Sequence, residues 1–285
     1  MLMILRRDCL SFFDVHNDFF EEIAKFRAAR RIWAKLMKER FHAKDINSMK
    51  LRTHAQTAGV SLTAQQPVNN VARVTMQALA AVLGGVQSLH TNSMDETLSL
   101  PTAEAVKVAL RTQQIIAEES GVTNTIDPLG GAYYIEKLTD DIEREAFAYI
   151  KRIDEIGGML KAVETGYPQK EIAEASYQFQ LRVDKKDEVQ VGVNKYQDNE
   201  EGTPIPLHVV DHVVEKNQID RMKAFKDSRD KKAHAKALEE IKTACKENRN
   251  VMPSLIEGGL VGVTLGEVSD IYREVFGVYH DPGLL

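Results

Sequence analysis

MKLRTHAQTAGVSLTAQQPVNNVARVTMQALAAVLGGVQSLHTNSMDETLSLP, residues 49–101, decides the fold. Two short runs in it, MKLRTHAQT (49–57) and VQSLHTNS (86–93), have strand character and end in uncharged hydrogen-bonding side chains. Between them PVNNVARVTMQALAAVLGG predicts a helix, with Pro67 at its start, Val71, Val74, Leu79 and Val82 as apolar positions, and Gly84-Gly85 as its stop. Strand, helix and strand joined by short turns predict a right-handed parallel β-α-β unit. Ligands of such units collect at the carboxyl ends of the strands, where His54, Gln56, Gln87, Asn92 and Glu96 are expected.

Alternation along the 49–57 strand puts Lys50, Arg52, His54 and Gln56 on one face and Leu51, Thr53 and Ala55 on the other. A histidine in a strand can be structural or catalytic, and spacing alone leaves both open. Upstream, DCLSFFDVH (8–16) predicts another strand. A helix follows it, opened by Asp18 with Glu21 in a capping-box pattern, its apolar face drawn from Phe20, Ile23, Phe26, Trp33, Leu36 and Met37. The 86–93 strand is hydrophilic for a buried parallel strand, and Ser11, Thr53, Thr57, Ser88 and Thr91 repeat that trend. Small hydroxylated residues in place of branched apolar ones predict an interior through which a ligand passes.

Downstream, helices are expected over 102–119 and 134–156, the second stopped by Gly157-Gly158, then two shorter ones to about Asp184. VQVGVNKY (189–196) is expected as an isolated strand and DNEEGTPIP (198–206) as a linker. A charged helical segment spans 211–247, and a helix over 265–276 is entered through Thr264. The run Lys226–Lys236 reads as a solvated helix face.

Composition narrows the function. A chain of 285 residues with 43% hydrophobic content can build one large domain or two smaller ones. A net charge of −5 gives no case for nucleic-acid binding. Cys9 and Cys245 lie outside any C-x-x-C pattern and predict neither a disulfide framework nor a zinc site. No stretch has the length of a membrane span, MLMILRRDCL is not a secretory signal, and a cytoplasmic protein is expected. P-loop, Rossmann and G-x-S-x-G motifs are absent from the sequence. The candidate residues are amides, imidazoles and hydroxyls without paired acids or a nucleophile-base couple. That set disfavours glycosidase, protease and phosphoryl-transfer chemistry and suits a reaction whose difficult step belongs to a cofactor.

LRTHAQTAGVSLT followed by GGVQSLHTNSMDETLSLP resembles the methylmalonyl-CoA mutase family of adenosylcobalamin-dependent acyl-CoA mutases. The resemblance extends through DFFEEIAKFRAARRIWAK before it and through IIAEESG, DPLGGAYYIEKLT, IDEIGGM, VGVNKY and TLGEVSD after it, from about Ser11 to Phe276. It implies an α/β fold in which residues 1–125 are the last three β-α units of a TIM (β/α)8 barrel, 126–197 a helical extension and 207–285 a further helical region. It implies a radical carbon-skeleton rearrangement of an acyl-CoA, and adenosylcobalamin whose cobalt ligand comes from another domain or chain. Ser11, Phe13 and Gln87 match positions along the CoA path, and His54 and Gln56 match side chains near the acyl group and the adenosyl moiety. Gly59 matches a close approach beside the corrin, and Asn92 and Glu96 match groups that bond the adenosyl ribose. Read without the family, Glu96 is a first-turn acid at a helix start. DVHNDF resembles a cobalt-ligand motif but lacks its glycine, so His16 is read as structural.

There are departures. Cys9 stands where the family has an arginine that grips the acyl-CoA, with Arg6 and Arg7 as nearby substitutes, and one aromatic is missing after Ser11. The chain matches about half of the family's catalytic subunit, without the strands that carry its tyrosine, arginine and catalytic histidine. Two functions follow as expectations. One is a subunit of a split mutase that needs a partner chain with the remaining strands and a cobalamin-binding subunit. The other is a non-catalytic fragment or interaction module.

Overall fold

The structure is a computed structural model, and it describes residues 10–198 and 205–279. The expectations for Arg6, Arg7 and Cys9, and most of the linker 198–206, lie outside these residues. The chain divides into two compact units, one reaching Val209 and one spanning Val210–Leu284.

The first unit is built on a parallel three-stranded sheet in the order β1 (Ser11–Val15), β2 (Thr53–Thr57), β3 (Ser88–His90). The expected strands are present but shorter. A 3-10 turn, Ile46–Met49, precedes β2, and β3 ends before Thr91 because Asn92 and Thr91 turn their polar groups to other partners. Asp18 caps α1 (Phe19–Lys35) by accepting from the Glu21 N–H at 3.2 Å. Pro67 opens a 3-10 turn that runs into α2 (Asn70–Gly84), and Gly85, at φ 78°, closes it in the left-handed region. Thr102 caps α3 (Ala103–Glu119).

Val15, Ile23, Phe26, Ala55, Ala80 and Ala81 form the core between the sheet and these helices. The buried face of α2 differs from the expected one. Ala78, Ala80, Ala81 and Gly84 are buried with Val74, whereas Val71, Leu79 and Val82 are only partly covered. Small residues let α2 approach α1 closely: a Cβ on Gly84 would lie 2.7 Å from Cδ2 of Phe26. Phe20 is exposed and meets Tyr134 edge-on instead of entering the core.

Register fixes the faces of the sheet. Ser11 pairs with Thr53, Phe13 with Ala55 and Val15 with Thr57 on the helix-covered side. Thr53 and Thr57 are 3% and 0% exposed there, and the Thr91 hydroxyl donates to the Ala109 carbonyl of α3 at 2.8 Å. Thr53, Thr57 and Thr91 thus bond to polar groups on the helix-covered side instead of facing a passage. Of the five, only Ser88 lies on the open face.

α4 (Tyr133–Ile156) packs along α1, and the spacing of Arg27, Arg31 and Lys35 puts a basic stripe against it. Arg27 meets Glu136 at 2.8 Å, Arg31 meets Asp140 at 2.8 Å and Glu143 at 2.7 Å, and Lys35 also reaches Glu143. Beyond α5 (Met159–Glu164) and α6 (Tyr167–Lys185), the 189–196 segment is a loop with a single bridge, Val191 to Lys195, and not a strand. Arg73 and Gln66 hold it by donating to the carbonyls of Val191 (2.8 Å) and Tyr196 (3.0 Å).

In the second unit, the charged segment is two helices, α7 (His212–Ser228) and α8 (Lys231–Lys246), followed by α9 (Met252–Leu260) and α10 (Leu265–Phe276). Ile241, Cys245 and Ile271 form its core. Thr264 and Glu267 make a reciprocal capping box at the start of α10. The charged run is not wholly solvated: Arg229 and His234 turn inward to Glu267, at 3.0 and 3.3 Å.

Candidate functional site

The open face of the sheet carries two rows of side chains. Phe12, His54 and Ser88 form the first, and Asp14, Gln56 and His90 the second, at the carboxyl end. Nδ1 of His54 and Oγ of Ser88 are 2.7 Å apart, and the Phe12 ring, 72% exposed, lies 5.3 Å from the His54 ring. An apolar ring beside an imidazole and hydroxyl pair makes a surface with both apolar and hydrogen-bonding parts.

The second row continues into the turns beyond the strands. Gln56 Nε2 donates to Asn92 Oδ1 at 3.0 Å, so these two converge. Asn92, 2% exposed, also donates from Nδ2 to the Thr57 carbonyl (2.7 Å) and from its backbone N to Thr57 Oγ1 (2.9 Å). It thereby replaces the ladder bonds that the short β3 leaves unmade. Gly59 follows β2 at the same place. A Cβ there would come within 2.8 Å of Glu96 Oε1 and 3.2 Å of Asn92 Nδ2, so the missing side chain gives room to the Glu96 carboxylate. Gly59, Asn92 and Glu96 therefore adjoin one another, with Gln56 bonded to the cluster.

Glu96 is exposed as a residue, yet its carboxylate rests on Gly59 and loses hydration. That loss raises its pKa; nearby His90 acts in the opposite direction, and Asp95 adds to the rise. Asp95 itself is 1% exposed and turned away, accepting from the Thr102 N–H at 2.8 Å and its hydroxyl at 3.1 Å. Burial favours its neutral form, but the bonds from Thr102 and Ser93 outweigh burial and leave its pKa below the ordinary value.

A frame of amides and hydroxyls fixes these turns. Asn70, fully buried, accepts from the Thr63 N–H (3.1 Å) and donates to the carbonyls of Thr63 and Met94, both at 2.9 Å. Gln77 Nε2 donates to Asn17 Oδ1 at 2.7 Å and to Ser61 Oγ at 2.6 Å. One residue of α2 thus holds the chain after β2 to the chain after β3, and another holds the chain after β1 to the chain after β2.

The other candidates lie elsewhere. Gln87 sits at the amino end of β3, opposite to the expected end, where Oε1 accepts from the Thr53 N–H at 2.6 Å. Ser11 and Phe13 are on the helix-covered side, and the Phe13 ring packs edge-on against Phe26 at 5.7 Å. His16 accepts from the Asn17 N–H at 2.8 Å. Among the described residues, no group of three or more His, Cys, Asp and Glu is placed to hold a metal ion, and no helix is long and apolar enough to cross a membrane. Sequence reasoning missed His90 and Asp14 on the second row. The signal was available, because His90 pairs with Gln56 and alternation gives it the same face.

Comparison with known proteins gives a consistent picture. A family model described as methylmalonyl-CoA mutase matches residues 8–278. The 2-hydroxyisobutanoyl-CoA mutase large subunit of Aquincola tertiaricarbonis is 45% identical over 271 residues, covering 95% of this chain and 48% of that protein. A probable mitochondrial methylmalonyl-CoA mutase of Caenorhabditis elegans is 47% identical, covering 94% of this chain and 36% of its own length. The methylmalonyl-CoA mutase of Escherichia coli (strain K12) is 45% identical, with 95% and 38% covered. The chain spans less than half the length of these curated relatives.

Proposed function

The chain belongs to the methylmalonyl-CoA mutase family, and from that premise we propose that it is part of an adenosylcobalamin-dependent acyl-CoA mutase. Its three β-α units are read as the last of an eight-stranded barrel completed by a partner chain, with cobalt ligation supplied by a cobalamin-binding subunit or domain. The observation that carries the reading is the rim on which Gln56, Asn92, Gly59 and Glu96 meet at the carboxyl ends of β2 and β3. The four come from two separate motifs of the sequence.

The side chains fit the cofactor. The Glu96 carboxylate makes no ion pair or hydrogen bond among the described residues, so its oxygens are free acceptors for sugar hydroxyls. Gly59 has no side chain to obstruct a flat ring system. When bound, adenosylcobalamin supplies hydrogen-atom abstraction and return through cleavage of its cobalt–carbon bond. The chain's part is to bind and orient. Glu96 would accept from the ribose, Asn92 would hold Gln56 at a fixed angle, and His54 with Gln56 would donate hydrogen bonds toward the thioester. Phe12 would cover the acyl group and exclude water. Such a site confines a neutral intermediate without needing strong acids or bases. Ser11, Phe13 and Gln87 would contribute to CoA binding only from outside this open face.

The test is reconstitution. Mixing the chain with a polypeptide carrying the remaining strands and with a cobalamin-binding chain should give acyl-CoA isomerisation only when all are present. Turnover by this chain with cofactor alone would overturn the split-subunit reading. A complete mixture that neither associates nor turns over would favour a non-catalytic interaction module.

A further inference from the structure

His54 stands in the middle of the first row on the open face, between its register partners Phe12 of β1 and Ser88 of β3. Its Nδ1 lies 2.7 Å from the Ser88 hydroxyl oxygen, and its ring meets the Phe12 ring at 5.3 Å and 57°. We propose that Ser88 is a positioning residue for His54. Its hydroxyl donates to Nδ1, fixing the imidazole in one orientation with the proton on Nε2. That N–H is then offered to a carbonyl-type acceptor on the open face. Identification of the acceptor as the acyl thioester rests on the mutase reading; the pairing of hydroxyl and imidazole does not.

Several observations support the pairing. A neutral imidazole has one donor and one acceptor nitrogen, so the partner of Nδ1 decides what Nε2 can do. Among the described residues Nε2 has no hydrogen-bonding partner, and the Ser88 hydroxyl has none besides Nδ1. A neutral histidine left to itself favours the proton on Nε2. Donation by Ser88 works with that preference, and acceptance from an Nδ1–H would work against it. A half-turn of the ring would exchange Nδ1 for a carbon, and the bond to Ser88 opposes it, while Phe12 braces the ring from the opposite neighbouring strand. The place of Ser88 is secured in turn. Its strand has only three residues, yet Gln87 ties it to β2 in both directions. The Gln87 N–H donates to the Thr53 carbonyl at 3.2 Å, and Gln87 Oε1 accepts from the Thr53 N–H at 2.6 Å. The hydroxyl is thus delivered opposite His54 by a strand pinned one residue earlier.

The pairing is tested on the full chain by nitrogen-15 NMR of labelled imidazoles at about pH 8.5, above the ordinary histidine range, with His54 assigned through His54→Gln. Ser88 is exposed, so its variants should leave the core undisturbed. Wild-type His54 should be a single tautomer protonated on Nε2. Ser88→Ala should move both ring-nitrogen signals toward the averaged values of a solvated histidine, and Ser88→Thr, which keeps the hydroxyl, should return them. A proton on Nδ1 in the wild type, or signals unmoved by Ser88→Ala, would overturn the pairing. In the assembled mutase, Ser88→Ala should weaken acyl-CoA binding about three- to ten-fold, as for one lost neutral hydrogen bond, and Ser88→Thr should recover most of it. Binding of an S-alkyl-CoA thioether, which has no carbonyl oxygen, should be unchanged. Equal weakening of thioester and thioether would overturn the positioning role. A wild-type assembly that binds neither would instead overturn the mutase reading and the acceptor named from it, whatever the tautomer.

Discussion

Asn92 and Glu96, both matched by the resemblance to the adenosyl ribose, differ in what they do for the fold. Asn92 is buried and holds three bonds across the strand ends, to Gln56, to the Thr57 carbonyl and to the Thr57 hydroxyl. Asn92→Ala leaves Gln56 and the Thr57 carbonyl without partners, which should cost about 1–3 kcal/mol in urea denaturation. Glu96→Ala removes no structural bond and should change stability by less than ~0.5 kcal/mol while weakening adenosylcobalamin binding by the assembled enzyme. Equal stability losses in the two variants would contradict this division of roles. At this scale the sequence was legible where alternation and motif agree, as for His54 and Gln56. Gln87 was misplaced for another reason: as second residue of the 86–93 run it lies at the amino end of β3 whatever the strand's length. The commitment of Asn92 to Thr57 depends on where β3 stops, and no residue type announces that.

Among elements, α2 shows what periodicity can and cannot say. Its existence, its proline start and its glycine stop were readable, because each has a local cause. Its buried side was not, because alanines carry little weight in an apolar pattern and Leu79 and Val82 carry much. What settles the orientation is the fit of Gly84 against Phe26 of α1, a contact distant in sequence. Gly84→Ala would bring a Cβ to 2.7 Å from Cδ2 and 3.1 Å from Cβ of Phe26. Such overpacking should cost about 1–3 kcal/mol, read as a lower denaturation midpoint with an unchanged slope. An unaltered midpoint would mean that α2 and α1 are not in close contact. The 189–196 segment was misread for a related reason. Alternating valines resemble a strand, yet Gly192 and Asn194 make a loop whose partners are Gln66 and Arg73.

For the whole molecule, the division into two units lets each be assayed by its own reporters. In the second, Glu267 caps α10 and accepts from Arg229. Burial favours its neutral form, but the bonds from Thr264, His234 and Arg229 outweigh burial and lower its pKa to about 2. A carboxylate depressed in the folded state stabilises above its ordinary range, and that stability is lost as pH falls from about 4.5 toward 2. After allowance for solvent screening it is roughly 1–2 kcal/mol. Hydrogen exchange of α8 and α10 amides should show Glu267→Gln less protected than wild type at pH near 6, with the gap closing on acidification. A gap independent of pH would assign the effect to packing instead. The first unit contrasts with this. The frame behind its rim is held by Asn17, Ser61, Thr63, Asn70 and Gln77, none of which gains or loses a proton in water, with the Arg73 guanidinium donating to Asn70 Oδ1 at 2.8 Å and to Thr63 Oγ1 at 3.0 Å. Acid has no direct hold on the amide and hydroxyl bonds among them. The rim is therefore a fixed stage, and a ligand whose grip varies with pH there reports on the few charged actors standing on it.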